Sequence, residues 1–345
     1  MTAPSTRSDQ DQGLIGIVVV NYASSELVRA NLGSLHVGQS RTVLVDNFSG
    51  QQERTAARLL ADELGWAFVA MDGNAGFASG VNAGVLVAEN LGCSRFLLVN
   101  PDVKVTEETV DALRAASLRD ELALVSPRLV SESGRLVFAG SRLDLRDGRI
   151  HGLRSRCSGA ASSSMMPWLT AACLVVPLEL WRRAGGFDER YFMYWEDVDF
   201  NFRCLAAGGH VMLRDDLVAV HDQGGTQGPR RGRAKSGLYY YYNCRNRVLF
   251  AIHNLCRGDI MGWLLRSPSV GYEIFLQGGR RQVLESPWLV TAPVRGTCAG
   301  VLLGLRAALL RAPAERHVAA DLVTHARRPY SRIRGTMRSK NRNGC

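Results

Sequence analysis

Three carboxylates, Glu196, Asp197 and Asp199, stand within four residues of one another, in a stretch that reads Phe-Met-Tyr-Trp-Glu-Asp-Val-Asp-Phe-Asn over residues 192–201. Acids set among aromatics are costly to bury, and one taken from water without partners is neutralised. These acids therefore either point to solvent, where they complement the dipole of a helix start, or serve a site. The chemistry a positioned carboxylate offers is general base catalysis, taking the proton of a hydroxyl as it attacks. Helical spacing from Trp195 to the Gly208-Gly209 stop sorts the three. Trp195, Val198, Phe202 and Leu205 form one stripe. Glu196, Asp199 and Arg203 share one flank, where Asp199 and Arg203, four apart, can pair. Asp197 lies on the other flank beside Asn201, with no cation near it in sequence.

Other chemistry-bearing residues fall at the ends of apolar runs. Residues 14–20 and 42–45 read as buried strands, ending at Asn21-Tyr22 and Asp46-Asn47. Helices are expected from Ser24-Ser25-Glu26 to about Leu35 and over residues 53–64, with a short strand at 66–69. Strand and helix alternating at this spacing predict a doubly wound α/β sheet, whose ligands bind beyond the carboxyl ends of the strands. Next comes a glycine-rich loop, residues 73–84, with Asn74, Gly76, Gly80 and Asn82. Its glycines suit either backbone approach to a phosphate or tight packing. Residues 96–99 form another strand, running into Asn100-Pro101-Asp102. An acid there suits a divalent cation shared with a diphosphate, and equally a simple turn. Residues 168–176 are expected to form one strand before a helical turn at 178–183. A last strand, 217–220, ends at His221. A hairpin and mobile loop over 131–152, a flexible link at 158–164 and a flap at 222–237 complete the reading.

Composition bounds the answer. The chain has 345 residues, 46% hydrophobic, and a formal net charge of +10. From Thr226 onward 21 Lys/Arg face 5 Asp/Glu, a net of +16, whereas residues 1–225 hold 21 against 27, a net of −6. A mildly acidic globular part thus precedes a basic one that suits an anionic partner. The eight cysteines have no metal-finger spacing, and reduced thiols are the expectation. Residues 1–12 are polar and suit a disordered leader. Apolar segments at 260–312 are broken by Arg266, Arg295 and Arg306, so no membrane span stands out. With Trp263 and Trp288 as anchors they suit amphipathic helices on an anionic membrane surface. No nucleic-acid-binding motif is present.

Taken in order, Val18-Val19-Val20-Asn21-Tyr22, Val45-Asp46-Asn47, Asn74-Ala75-Gly76-Phe77, Asn100-Pro101-Asp102-Val103, Gly185-Gly186-Phe187-Asp188-Glu189 and Glu196-Asp197-Val198-Asp199 form a series that resembles family 2 glycosyltransferases, in particular the bacterial rhamnosyltransferase-like branch. The resemblance covers about residues 14–225 and continues weakly through 242–247. It implies a GT-A fold, a mixed doubly wound sheet flanked by helices, over residues 13–225. A basic helical extension at 226–326 and a basic tail at 327–345 follow. It also implies an inverting transfer from a nucleotide-sugar, dTDP-L-rhamnose or a UDP-sugar, to a polyprenyl-diphosphate-linked or glycan acceptor in cell-wall or surface-polysaccharide assembly. Asn21, Tyr22, Asp46, Asn74, Gly76, Asn82 and Asn100 would then lie around the nucleotide-sugar, with Asp46 on the base. Asp102 and His221 would hold Mg²⁺ or Mn²⁺, Asp197 would be the base, and Trp195 and Glu196 would face the acceptor. A cytoplasmic enzyme, peripheral on the inner face of the plasma membrane and with room for a homo-oligomer, is the corresponding expectation. Two departures stand out. The acid expected downstream of Asn47 is missing, and Ala171-Ala172 replace a Gly-Ala pair. A nicotinamide-dependent oxidoreductase on a similar sheet is the competing class, disfavoured because no Gly-x-Gly-x-x-Gly turn follows the first strand.

Overall fold

A computed structural model describes residues 13–152, 164–221, 235–279 and 286–310. The expected leader, the flexible link, most of the flap and the C-terminal tail lie outside the described residues. The centre is a nine-stranded mixed sheet. Its first half is parallel: β1 (Ile15–Asn21) lies between β2 (Ser40–Asp46) and β4 (Arg95–Val99), with β3 (Ala67–Ala70) outside β2. All seven β1 residues are buried. A strand that apolar must be covered on both faces, which is the lot of a central parallel strand. On one side lie α1 (Ser25–Leu32), α2 (Gln51–Leu64) and α4 (Glu107–Leu118); on the other lies α3 (Phe77–Asn90). A Cβ at Gly80 or Gly84 of α3 would come within 2.8 Å of Val20 or 2.5 Å of Val18. These two glycines therefore serve close helix–sheet packing. α1 ends three residues short of the expected Leu35, and Ser24 does not cap it; its hydroxyl donates to Asn21 Oδ1 at 2.8 Å instead.

The second half departs from the sequence reading. Residues 121–165 contain β6 (Ala123–Val130), a full strand of the central sheet. Alternating Ser, Pro and Arg disguise it as loop, but both its faces are covered. The strand expected at 168–176 is two strands in two sheets. β11 (Cys173–Pro177) joins β4 and β6 antiparallel, whereas β10 (Met165–Trp168) pairs with β8 (Ser141–Asp144), which pairs with β9 (Ile150–Gly152). The turn at 169–172 lets the chain change sheets. β7 (Leu136–Phe138) borders β6, and β12 (His210–His221) runs parallel to β6 and antiparallel to the short β5 (Val103–Lys104). α5 (Leu178–Ala184) and α6 (Glu196–Ala206) follow β11.

Three further helices close the molecule: α7 (Gly237–Asn254), α8 (Arg257–Leu276) and, after a 3-10 turn (Pro287–Val290), α9 (Thr291–Leu310). They share a core with the acidic stretch: Trp195 packs on Phe250 and Trp263, and Phe202 on Phe250. Trp263 is fully buried, its ring N–H donating to Leu145 O at 2.8 Å, so it is not a surface anchor. Trp288 remains exposed. Among the described residues one helical run, Pro287–Leu309, is long and apolar enough to cross a membrane by length and composition, and 22% of its apolar window is buried against the protein. The apolar segments on either side of Arg295 and Arg306 thus join into one helical run, whereas those around Arg266 form the separate α8.

Candidate active site

One cleft of about 1380 Å³ opens at the carboxyl ends of the parallel strands. Asp102 reaches it because Pro101 ends β4 and turns the chain into β5. The β5–β12 ladder then sets Val103 opposite His221. Asp102 Oδ1 comes to rest 3.2 Å from His221 Nε2. Asp102 Oδ1, His221 Nδ1 and the neighbouring Asn100 Oδ1 are buried and lack hydrogen-bond partners. Unsatisfied buried acceptors of this kind fit a hard cation whose remaining ligands come from phosphate and water. Among the described residues no three His, Cys, Asp or Glu side chains cluster as a complete metal cage.

Asp197 enters from the first turn of α6, a helix with both faces buried. Trp195, Val198 and Phe202 face the C-terminal helices, while Phe200 packs on Trp181 and Phe187. Asn201 locks the helix to the turn between β10 and β11, donating to Leu169 O and accepting from Leu169 N–H, both at 2.9 Å. Asp197 therefore lies against that turn. Its Oδ2 accepts from Ala171 N–H at 3.3 Å and its Oδ1 from Val198 N–H at 2.8 Å. Burial raises its pKa to about 6, and the hydrogen bonds limit the rise. Glu196 also lines the cleft, away from Arg203. Burial, then the neighbouring Asp197, push its pKa well above the ordinary range. The two acids form a coupled pair that loses its protons in turn. Asp199 faces the other way, bound by Arg203 at 2.7 Å, Asn254 at 2.7 Å and Tyr191 at 3.3 Å. The helical spacing predicts that ion pair; Glu196, set by the same spacing on that flank, lines the cleft.

The remaining sequence candidates divide. Tyr22, Asn74, Gly76, Asn100 and Trp195 line the cleft, and Asn74 holds the loop through Gly76 N–H at 3.1 Å. Asn21, Asp46 and Asn82 stand behind it. Asn21 donates to Glu53 and accepts from Ser24. Asn82 clamps Phe187 through both its carbonyl and its N–H, at 2.9 Å each. Asp46 is fully buried and pairs with Arg54 at 2.6 Å, yet its Oδ1 lacks a partner. Asn47, which the sequence places at a strand end without a role, lines the cleft and braces Asn74, Ala75 and Gly76. The far wall of the cleft, where Tyr239, Tyr242 and Asn243 of α7 and Ile274 of α8 stand, is absent from the sequence reading of the site.

Comparison with known proteins accords with this arrangement, although no family model matches the chain. A hexosyltransferase of low-salt glycan biosynthesis, Agl10 of Haloferax volcanii, is 25% identical over 237 residues, covering 68% of this chain and 74% of that protein. The N-acetylglucosaminyl-diphospho-decaprenol L-rhamnosyltransferase of Mycobacterium tuberculosis is 27% identical over 241 residues, covering 62% and 78%. Among solved structures, GalNAc-T7 with UDP, GalNAc and Mn²⁺ superposes with a TM-score of 0.54 at 12% identity, over 85% of this chain and 56% of that one. The chain thus spans little more than half the length of that structure, and the likeness concerns the fold. Relatives in sequence and fold agree with the ordered motif series: the chain is a glycosyltransferase of the GT-A fold, and it resembles the rhamnosyltransferase-like branch of family 2.

Proposed function

We propose that the protein is an inverting glycosyltransferase that moves a sugar, L-rhamnose from dTDP-L-rhamnose in the leading reading, to a hydroxyl of a polyprenyl-diphosphate-linked acceptor. The observation that carries this reading is the convergence of Asp197 with Asp102 and His221 on one cleft. Its volume exceeds the ~300–1,000 Å³ of an ordinary small-molecule pocket, and so suits two substrates. Asp197 accepts the acceptor hydroxyl proton. The oxygen then bonds to the anomeric carbon as the bond to the diphosphate breaks, giving inversion. Asp102 and His221 would hold a divalent cation, which offsets the charge developing on the leaving diphosphate. Asp46 stands behind the cleft, paired with Arg54, and would meet the N3–H of thymine or uracil only by turning its carboxylate into the cleft; that contact would not choose between dTDP and UDP. Glu196 and Trp195 belong to the acceptor side.

The relative that acts on a diphospho-decaprenol supports the lipid-linked acceptor. The basic C-terminal region and its exposed apolar side chains support a peripheral place on the inner face of the plasma membrane. Donor profiling by mass spectrometry tests the reading, with dTDP-L-rhamnose, UDP-N-acetylglucosamine, UDP-glucose and GDP-mannose offered with Mg²⁺ or Mn²⁺ and an N-acetylglucosaminyl-diphospho-polyprenol. Rhamnosyl transfer with inversion is the expected product. Transfer from a UDP-sugar alone would replace the donor, and retention at the anomeric carbon would remove Asp197 as direct base.

A further inference from the structure

Four consecutive backbone carbonyls, those of residues 192–195, lead into α6, and all four accept a hydrogen bond. Phe192 O accepts from Phe77 N–H and Trp195 O from Asp199 N–H, both at 2.9 Å. Met193 O and Tyr194 O both accept from a single side-chain nitrogen, Asn246 Nδ2, at 2.9 Å each. Asn246 is fully buried on α7, and its own Oδ1 accepts from Arg245 Nη1 at 2.6 Å.

This grip coincides with unusual backbone. Tyr194 and Trp195 have φ of +65° and +75°. Residues with large side chains enter the left-handed region at a cost and persist there only where their surroundings hold them. α7 supplies those surroundings along one face, at positions 239, 242, 246, 250 and 254. Tyr239 meets Tyr194 edge-on with centroids 5.3 Å apart, and Tyr242 stacks on Phe192 at 5.4 Å. Phe250 packs on Trp195 at 5.7 Å, and Asn254 donates to Asp199 at 2.7 Å. From Tyr242 to Asn254 the contacts advance together along helix and segment, and Tyr239 closes over Tyr194, so α7 acts as a splint.

We infer that Asn246 is a positioning residue for the transfer reaction: by holding the Met193 and Tyr194 carbonyls with one carboxamide, it fixes the chain reversal that aims Asp197 into the cleft. Asn246 does not line the cleft and acts only through the segment it binds. The chemistry explains the residue type. The position needs two N–H donors on one atom, uncharged because it is buried, on a stem of this length. Asp presents oxygens to two carbonyls, and Ala leaves both unsatisfied. The inference rests on the reading of Asp197 as base.

The test compares the full-length wild type with Asn246→Ala, Asn246→Asp, Asp197→Asn and Val248→Ala. Val248 faces α9 near Gly300, so its truncation loosens α7 without touching the two carbonyls. Hydrogen exchange over residues 192–199 is read together with kcat and donor KM on the substrate pair the wild type accepts. Misplacing a reacting group by about 1 Å can cost ~10²-fold. Both Asn246 variants should therefore exchange faster in this segment and lose about 10–100-fold in kcat, with donor KM little changed. Val248→Ala, compared at matched distance below its melting temperature, should keep wild-type exchange there and most of its kcat. Wild-type exchange over 192–199 in both Asn246 variants, or a kcat loss no greater than that of Val248→Ala, overturns the inference. If Asp197→Asn is inactive while the Asn246 variants keep full kcat, the positioning role alone falls. If Asp197→Asn itself transfers at the native rate, the reading of the base falls with it.

Discussion

Phe77 donates its backbone N–H to the carbonyl of Phe192 at 2.9 Å, and so ties the start of α3 directly to the acidic stretch. Gly76 makes this approach possible. Its φ is +89° and ψ 171°, a region almost confined to glycine. A Cβ there would lie 2.3 Å from Phe192 O. Gly76→Ala is therefore expected to cost about 1–3 kcal/mol from backbone strain alone and to displace the segment that leads to Asp197. Chemical denaturation and transfer rate measure the two effects. Gly73→Ala, whose Cβ would meet nothing within 4 Å, is the control and should be neutral. Equal behaviour of the two variants would refute the linkage.

The Glu196–Asp197 pair makes a prediction about pH. A base must be ionised to act, so with Asp197 at about 6 the transfer rate should rise as pH rises through that value and level off above it. Asp197→Asn should lose about 10²–10⁴-fold and with it the acid limb. Burial, then the charge on Asp197, hold Glu196 toward its protonated form, so the isosteric, neutral Glu196→Gln should keep that limb in place. A limb that moves by a full pH unit in Glu196→Gln would contradict this order of proton loss.

Glu196 also predicts stability. Its folded pKa lies well above the ordinary 4.5 because burial disfavours the charge. Between 4.5 and that raised value the folded state binds more protons than the unfolded state. Stability from this group is therefore fully present below 4.5 and is lost as pH rises. Glu196→Gln removes the dependence. Urea unfolding should show the variant gaining on the wild type between pH 5 and pH 8, and a constant difference across that range would rule the mechanism out.

Much of the parallel half of the sheet was legible because parallel strands advertise themselves. The runs ending at Asn21, Asp46 and Asn100 are buried on both faces, and their carboxyl ends are where such sheets place ligands. β6 was not legible, since Ser126, Pro127 and Arg128 break its apolar run while neighbours on both sides bury it. The switch at residues 169–172 was equally hidden. Strand propensity is continuous there, and only the pairing of β10 with β8 separates the two strands. The α7 wall was invisible for a related reason. Tyr239, Tyr242 and Asn246 read as an ordinary polar-aromatic helix until the segment they grip is in place, because a side chain's partner far along the chain leaves no local period.

Asp102 and His221 make a prediction that needs no acceptor. If they hold the cation, Mn²⁺ should strengthen binding of dTDP or UDP to the wild type in calorimetry. Asp102→Ala and His221→Ala should lose that gain while keeping metal-free nucleotide binding. Changes one shell out from a metal typically cost ~10–100-fold in affinity, and loss of a ligand should cost at least as much. An undiminished Mn²⁺ effect in both variants would assign the pair to a structural role.

α9 carries the last prediction. One face is committed to the protein: a Cβ at Gly296 would lie 2.2 Å from Tyr241 O, and one at Gly304 2.5 Å from Leu264. The opposite face leaves Leu302, Leu305 and Leu309 exposed at 68%, 42% and 79%, with Trp288 and, on α8, Leu265 exposed as well. A helix held along one side by its own protein is placed to lie on a bilayer rather than to cross it. The net charge of +16 from Thr226 onward supplies attraction to an anionic leaflet, at ~1 kcal/mol for each basic residue near the surface. The wild type should float with phosphatidylserine-containing vesicles at low salt, float less as salt screens the charge, and stay behind with purely zwitterionic vesicles. Leu302→Ser/Leu305→Ser/Leu309→Ser should weaken flotation while leaving transfer to a short-chain, water-soluble acceptor intact, because none of the three lines the cleft. Flotation that is unchanged in the triple variant would move the contact elsewhere, and a wild type that never floats would end the membrane reading.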